Sequence, residues 1–586
     1  MTKVTSKTAS DAGEKGKNRT GAEALVQELV RCGVDHAFGV PGGAAIPIFD
    51  ALCAEKRIKF VLTRHEQGAT HMADGFARAS GRPAAVLVTS GPGATNTVTG
   101  IMTAMMDSVP MLVVTGQSET AMLGKDAFQE ADVFNITMPV VKHSYLVKRA
   151  EDIPRVVREA HYIAVSGRPG PVLIDVPVDV GRAEVPGDAG AGVDLPGYHP
   201  EAGGGTPVEL EQIAAALDKA ERPLLLAGHG TVIAGAGAAL AALSEKLRAP
   251  VATTLLGKGV FPEDHALSVG MVGMHGTAYA NRLVTECDLL LVLGARMDDR
   301  ILGSPASFGA GAFIVHVDVD EAEFGKLVRP DVACRGDARR TLEALLPLVR
   351  RRTAGGAWER RVAEAKRKWP LRYAARGGIR PQRVIAELQA LVEGRKVILA
   401  TDVGQHQMWA AQFWRCGNPR RFVTSGGAGT MGFGLPAAIG AQLAHPDALV
   451  VALVGDGGFQ MTMCELATAC VQRLPVKVLV MNNHMLGMVR QLQDLLAGAR
   501  HSGVELEGNP DFARVAKAYG AFGEHVTRSN DLRSALRRAL AWDGPAVVDV
   551  ETVAGEDVFP MVPPGRPLEE MLLEMPETAD GKGGEA

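Results

Sequence analysis

The chain alternates short, wholly apolar runs with longer segments of helical spacing. Residues 60–63, 84–89, 111–115 and 171–176 read as strands in the first part. Residues 223–227, 250–253, 289–293 and 313–317 do so in the middle, and 448–454 and 476–481 toward the end. Runs this short, apolar at every position rather than at alternate ones, suit strands buried on both faces. Segments such as 67–80 and 459–472 have the length and apolar spacing of helices. Strand–helix–strand repetition predicts an α/β protein of doubly wound parallel sheets with helices on both faces. Three blocks follow: 21–185, 206–350 and 381–553. A Gly-, Pro- and Ala-rich stretch at 186–206 separates the first two. The charged segment 350–368 is expected to be a connecting helix. Residues 1–20 are expected to be a disordered tail and 554–586 a C-terminal tail.

The length of 586 residues agrees with several cores rather than one. A net charge of −4 gives no reason to expect nucleic acid or an anionic membrane as partner. The 7 cysteines form no CxxC pair, so free thiols in a reducing, cytoplasmic setting are expected instead of a disulfide framework or zinc site. No apolar stretch reaches the roughly 18 residues a membrane helix needs. The first residues mix Lys, Asp and Glu without an apolar core, which disfavours a signal or transit segment.

Gly455-Asp456-Gly457 stands just past one predicted strand and Asn482-Asn483 just past the next. In a parallel sheet both clusters lie at the carboxyl ends of neighbouring strands, where open α/β sheets bind ligands. A carboxylate and an amide oxygen converging there suit a hard divalent cation that also holds phosphate oxygens. Glycines beside Asp456 let a diphosphate approach the backbone. Either cluster alone is an ordinary turn; the two together resemble the metal–diphosphate motif of thiamine diphosphate enzymes. Such chemistry needs a carboxyl group at the cofactor's aminopyrimidine ring. Glu66, after a strand and opening a helix, is the candidate, although a Glu there is most often placed for the helix dipole. Glu66 and Asp456 lie in different blocks, so their site must form between domains, and in this superfamily it does so between subunits.

Further runs extend the resemblance over most of the chain: Phe38-Gly39-Val40-Pro41-Gly42-Gly43-Ala44, Arg64-His65-Glu66, Thr89-Ser90-Gly91-Pro92-Gly93-Ala94-Thr95-Asn96, Asp126-Ala127-Phe128-Gln129-Glu130, Gly273-Met274-His275-Gly276, Met297-Asp298-Asp299-Arg300, Thr401-Asp402-Val403-Gly404-Gln405-His406 and Gly429-Thr430-Met431-Gly432. They are similar to the catalytic subunits of acetohydroxyacid (acetolactate) synthases. The resemblance implies three domains of the pyruvate oxidase/decarboxylase type: pyrimidine-binding, FAD-binding and diphosphate-binding. It implies decarboxylation of pyruvate and ligation of the hydroxyethyl carbanion to a second 2-keto acid, in branched-chain amino acid biosynthesis. It also implies thiamine diphosphate, Mg²⁺ and a structural FAD, in a homodimer or tetramer to which a small regulatory subunit could bind.

Roles carry over residue by residue. Glu66 activates the cofactor, and Phe128 and Gln129 line the reacting centre. Arg300 binds the acceptor carboxylate, a task suited to a bidentate guanidinium. Met431 presses beneath the cofactor. Asp456, Asn483 and the Met485 carbonyl hold the metal. Pro41, Gly42, Val403, Gly404, Gln405, His406, Gly429, Gly457, Gly458 and Met488 surround thiamine diphosphate. Arg168, Gly228, Gly230, Thr253, Met274, His275 and Asp318 surround FAD. Gly427-x-Gly429-x-x-Gly432 also fits a dinucleotide fingerprint, but no apolar strand leads into it at the usual spacing.

The chain departs from the family pattern at several positions. His229 stands where the pattern has glycine. Leu492 stands where Trp is usual, which predicts a preference for pyruvate over 2-ketobutyrate as acceptor. Val178 and Glu119 replace the usual Lys and Pro in the channel that herbicides occupy in relatives, which predicts weak sulfonylurea inhibition. The rival reading is another enzyme of the superfamily, such as a decarboxylase or sulfoacetaldehyde acetyltransferase. Glyoxylate carboligases lack the Glu66 carboxyl, and a catalytically silent relative would not keep Glu66, Asp456 and Asn483.

Overall fold

The computed structural model describes residues 19–185, 192–193, 195–200, 203–374 and 377–575. Three six-stranded, all-parallel sheets organise them. The first orders its strands Lys59–Leu62, His36–Val40, Ala84–Val88, Met111–Gln117, Pro171–Pro177, His143–Leu146. The third orders Phe422–Val423, Val397–Thr401, Leu449–Gly455, Lys477–Asn482, Ala546–Glu551, Phe522–Val526. Counted along the chain within each sheet, both run 2-1-3-4-6-5. The central sheet differs. Its order is Ser268–Met271, Val251–Thr253, Pro223–Ala227, Leu289–Leu293, Phe313–Asp318, Val332–Arg335, or 3-2-1-4-5-6. Each topology has a point where strand order reverses, and that point opens a crevice at the strands' carboxyl ends.

The central strands are buried along their whole length, as their unbroken Val, Leu, Ile and Ala content requires. One core joins the first and third domains, from Phe38 and Phe76 to Phe433 and Phe459. Its axis is the crossing of two helices, Glu66–Ser80 and Gly434–Ala444, each following the second strand of its sheet. Glycine permits the close approach. A Cβ on Gly75 would stand 2.2 Å from the Ala437 carbonyl oxygen, and one on Gly440 would stand 1.9 Å from that of Met72. Beside the crossing, Arg78 is buried between Asp74 and Asp107, and Asp107 also accepts the backbone N–H groups of Gly426 (2.8 Å) and Gly427 (2.7 Å). The Thr103 and Thr430 hydroxyls meet at 2.6 Å across the same seam.

Four expectations need correction. The segment 459–472 is not one helix. A helix Asp456–Thr462 starts at the motif Asp itself, a 3₁₀ turn Met463–Glu465 interrupts it, and Leu466–Val471 follows. The interruption turns Glu465 under the first domain, where it accepts the N–H groups of Arg64 (3.0 Å) and His65 (3.1 Å). The charged 350–368 segment is helical only over Ala357–Lys368 and is part of the central domain. Trp358 and Val362 enter its core, and the Trp358 indole donates to the Pro223 carbonyl at 2.9 Å. The C-terminal segment is no tail over its described part. Val562, Leu568 and Met571 fill the central core and Val558 that of the third domain. At the other end, Arg19–Thr20 pairs antiparallel with Glu184–Val185, so the fold starts within the expected tail. Residues 1–18 and 576–586, and parts of 186–206, lie outside the described residues.

Candidate active site

The predicted residues fall into two groups. In the first domain, Glu66 is the first residue of its helix, capped by the His65 ring, which accepts the Gln67 N–H at 3.1 Å. Asn96 donates to Glu66 Oε2 at 3.0 Å. Gly93 leaves room beside the other oxygen, since a Cβ there would stand 3.5 Å from Oε1. Pro41 and Gly42 end the neighbouring strand, and a Cβ on Gly42 would collide with Thr89 at 2.6 Å. Gln129 adopts φ +56°, and its backbone packs on Gly91. Phe128 is 88% exposed, and Glu66 itself is only half-buried. A large aromatic ring left in solvent marks a surface suited to a partner or ligand.

The third domain supplies the other group, at the reversal between Val397–Thr401 and Leu449–Gly455. Gly404 adopts φ +142°, a conformation that glycine takes readily, and leads into the helix Gln405–Phe413. The buried His406 ring packs against Gly455, where a Cβ would stand 3.0 Å from its Cε1. Burial pushes the imidazole down to about 4, so it is neutral at pH 7, and its Nε2 is buried with no partner. Gln405 donates to Gln491 (2.9 Å) and to the Glu556 carbonyl (3.0 Å), while its Oε1 is also unpartnered. The unpartnered His406 Nε2 beside glycine backbone and the N–H groups at the start of the Gln405–Phe413 helix are donors that a diphosphate could accept. Asp402 organises the loop by accepting the N–H groups of Val403 (2.8 Å), Gly432 (3.0 Å) and Gly434 (2.8 Å). Gly458 must lack a side chain because a Cβ would stand 2.4 Å from Asp402 Oδ1.

Asp456 is 1% exposed, and burial raises its carboxyl to about 6 against the opposing hydrogen bond from Asn509 (2.8 Å). Asn483 Oδ1 accepts the Met485 N–H at 3.1 Å across His484, whose φ of +57° folds the loop back. Among the described residues no group of three His, Cys, Asp or Glu side chains is arranged to hold a metal ion. A cation here would therefore rely on Asp456, amide and carbonyl oxygens, and ligand phosphate, which is a donor set for Mg²⁺ rather than zinc. Met431 approaches from the loop before Gly434, its Cε 3.5 Å from where a Cβ on Gly457 would stand.

A cleft of about 630 Å³ runs from this loop into the central domain. Val403, Gly404, Gly429, Met488 and Leu492 line one end; Arg168, Gly230, Met274, His275, Arg300 and Asp318 line the rest. Gly228 and Gly230 sit at the central sheet's reversal, packed on Gly294 so closely that a Cβ on Gly228 would stand 2.3 Å from its carbonyl oxygen. Burial pushes His275 down to about 4 and leaves its Nδ1 unpartnered, and it raises Asp318 to about 6. Arg168 is held by Asp320 (3.0 Å) and Glu323 (2.7 Å). His229 lines the cleft beside Gly230, and its Nδ1 lies 2.8 Å from the Asp107 carbonyl oxygen. Thr253 does not line the cleft; its neighbour Thr254 does. Arg300 keeps its guanidinium largely in solvent, 3.6 Å from Asp299 and 3.3 Å from the Met274 sulfur.

Glu66, Pro41, Gly42, Phe128 and Gln129 do not line this cleft. The sequence did not single out Asn96, Gln491, Asn509 or the 556–558 segment as site residues. Asp402 and Asn96 stand inside recognisable runs; Asn509 and Glu556 carry no local signal.

Three family models of thiamine pyrophosphate enzymes match the chain: the N-terminal TPP binding domain over 19–136, the central domain over 210–345 and the C-terminal TPP binding domain over 402–550. Among curated relatives, the acetolactate synthase large subunit of Parasynechococcus marenigrum (strain WH8102) is 48% identical over 578 residues, 96% of this chain and 92% of its own length. The acetolactate synthase of Arthrospira platensis is 46% identical, covering 96% and 99%. The acetolactate synthase large subunit of Lactococcus lactis subsp. lactis (strain IL1403) is 43% identical, covering 95% and 96%.

Proposed function

This chain belongs to the thiamine pyrophosphate enzymes and, among them, to the acetolactate synthase family, and on that premise we propose that it releases CO₂ from pyruvate and joins the remaining two-carbon unit to a second 2-keto acid. The observation that carries the ligation step is Arg300. Its guanidinium, largely exposed and paired among the described residues only with the exposed Asp299 and the Met274 sulfur, lines the same cleft as Gly404, Met488 and Leu492. A decarboxylase has only to protonate what remains after CO₂ leaves; a ligase must also fix a second carboxylate, and Arg does so bidentately.

Thiamine diphosphate, when bound, supplies the carbon that adds to the keto group and accepts the electron pair left by CO₂. Gly404, Gln405 and His406 would hold its diphosphate, and Asp456, Asn483 and the Met485 carbonyl would hold Mg²⁺ against it. Met431 would support the ring system from below. Glu66, oriented by Asn96 through Oε2, would exchange a proton with the aminopyrimidine. The central cleft would take FAD along Gly228, Gly230, Arg168, His275 and Asp318. The exposure of the Phe128 ring to solvent supports a site that is completed by a second copy of the chain. The large-subunit names of relatives support a separate small regulatory partner. No described helix is long and apolar enough to cross a membrane.

Product analysis tests the reading. Pyruvate, thiamine diphosphate and Mg²⁺ should yield acetolactate; acetaldehyde as sole product, or acetyl phosphate when phosphate is added, would replace it with the decarboxylase or acetyltransferase reading.

A further inference from the structure

A line of hydrogen bonds runs from the surface of the third domain to Asp456. The half-exposed His525 ring meets Asp549 Oδ2 at 2.9 Å, and Asn482 donates to Asp549 Oδ1 at 3.1 Å. Asn509 Nδ2 lies 3.2 Å from Asn482 Oδ1 and 2.8 Å from Asp456 Oδ2. Gln460 donates to Asn509 Oδ1 at 2.8 Å. Asp456 and Asn509 are 53 residues apart in the chain.

The chemistry of the two ends fixes the middle. An ionised carboxylate only accepts hydrogen bonds, whereas a side-chain amide has one accepting and one donating end. Asp549 therefore draws the NH₂ of Asn482 and turns its oxygen toward Asn509. Asn509 must then present its NH₂, and its two hydrogens serve Asn482 and Asp456. Its oxygen is left for Gln460, which donates to it. Each group in the line has one consistent orientation, and reversing either amide would set two acceptors against each other.

We propose that Asn509 is a positioning residue for the cation site: it binds Asp456 Oδ2 and so holds the carboxylate in the rotamer that leaves Oδ1 for the metal. This rests on the reading of Asp456 as the metal's carboxylate. Groups that orient a ligating side chain in this way typically change metal affinity by about 10–100-fold when removed. An amide suits the position better than a charged donor, because it orients the carboxylate without cancelling the charge the cation needs.

The test is Mn²⁺ binding to the full-length protein with thiamine diphosphate present, followed by electron paramagnetic resonance, alongside kcat at saturating metal. Asn509→Ala should raise the Mn²⁺ dissociation constant about 10–100-fold while kcat at saturating Mn²⁺ stays close to the parent value; a purely structural role would lower kcat at every metal concentration. Asp549→Asn, two amides away, should also weaken binding because the line loses its fixed polarity. If Asn509→Ala does not fold, Gln460→Leu decides, with an expected weakening of about 2–10-fold from one lost hydrogen bond. Unchanged Mn²⁺ affinity in the folded variants overturns the proposal. Asp456→Asn serves as control: if it too binds Mn²⁺ like the parent, the assignment of the metal carboxylate fails, and not merely the role of Asn509.

Discussion

The first and third domains share one strand order and pack through topologically equivalent helices, yet the loops at their strand ends carry different side chains. In the third domain, the loops after the first and third strands bear Asp402 and Asp456, with the neutral His406 between them. The same loops of the first domain bear Pro41, Gly42 and the 89–93 turn, without an ionisable group. Its candidate acid, Glu66, opens the helix after the second strand, where the third domain has Met431 just ahead of its own helix. The shared scaffold fixes where loops meet a ligand, and the loop side chains decide whether that ligand's charged or aromatic end is met. The equivalent helices join the two domains within one chain.

The strongest challenge to this division is complementation. Glu66→Gln should lower acetolactate formation at least about 100-fold, the scale of a lost proton-transfer group, with metal binding intact. Asp456→Asn should abolish activity through loss of the metal. Mixed and reassociated, the two inactive variants should recover about a quarter of parental activity, because half the dimers are hybrids with one intact site of two. No recovery would mean that each chain builds its own site.

The seam itself is tested by Gly440→Ala, whose Cβ would strike the Met72 carbonyl. A loss of about 1–3 kcal/mol in stability is expected from such overpacking, read by denaturant titration. A neutral result would show that the two domains are not tightly coupled.

Selectivity belongs to the third domain's side of the cleft. Leu492→Trp should shift acceptor choice toward 2-ketobutyrate by about 10-fold or more, the worth of one methylene in a filled pocket. Competition between both acceptors measures it, and an unchanged ratio would remove Leu492 from the pocket.

The smallest effect concerns Asp175 in the first domain, buried beneath Thr115 (2.6 Å) and Gln117 (2.9 Å) and pushed up to about 7 by burial. A carboxyl raised on folding favours the folded state most at low pH, and that contribution is lost as pH climbs from about 4 toward 7. Asp175→Asn should therefore gain thermal stability relative to the parent as pH rises from 5 to 8; a difference independent of pH would contradict the shift.

Much of this was legible along the chain. Strands such as 223–227 and 289–293 match the predicted runs residue for residue, because wholly apolar short segments have few alternatives to a buried parallel strand. The Asp456 and Asn483 placement was legible for the same reason: both follow directly from strand ends. The break at Met463–Glu465 was not, since nothing local distinguishes it from continuous helix; Glu465 is drawn to backbone N–H groups of another domain. The 554–575 segment read as a tail because its apolar residues are few and scattered, and only the central domain's groove gives them a place to bury.

The sequence by itself determined the three sheets and the glycine turns, and it nominated Glu66 as the acid, Asp456 as the metal-side carboxylate and Arg300 as the acceptor-binding Arg. These depend on local spacing and on chemistry that few residue types can perform. Only the tertiary structure decided that Asn96 meets Glu66, that Gln405 leans on the C-terminal segment and that Asn509 grips Asp456. Those contacts join residues tens to hundreds of positions apart, and no local preference encodes which of many polar groups will meet once the cores have closed.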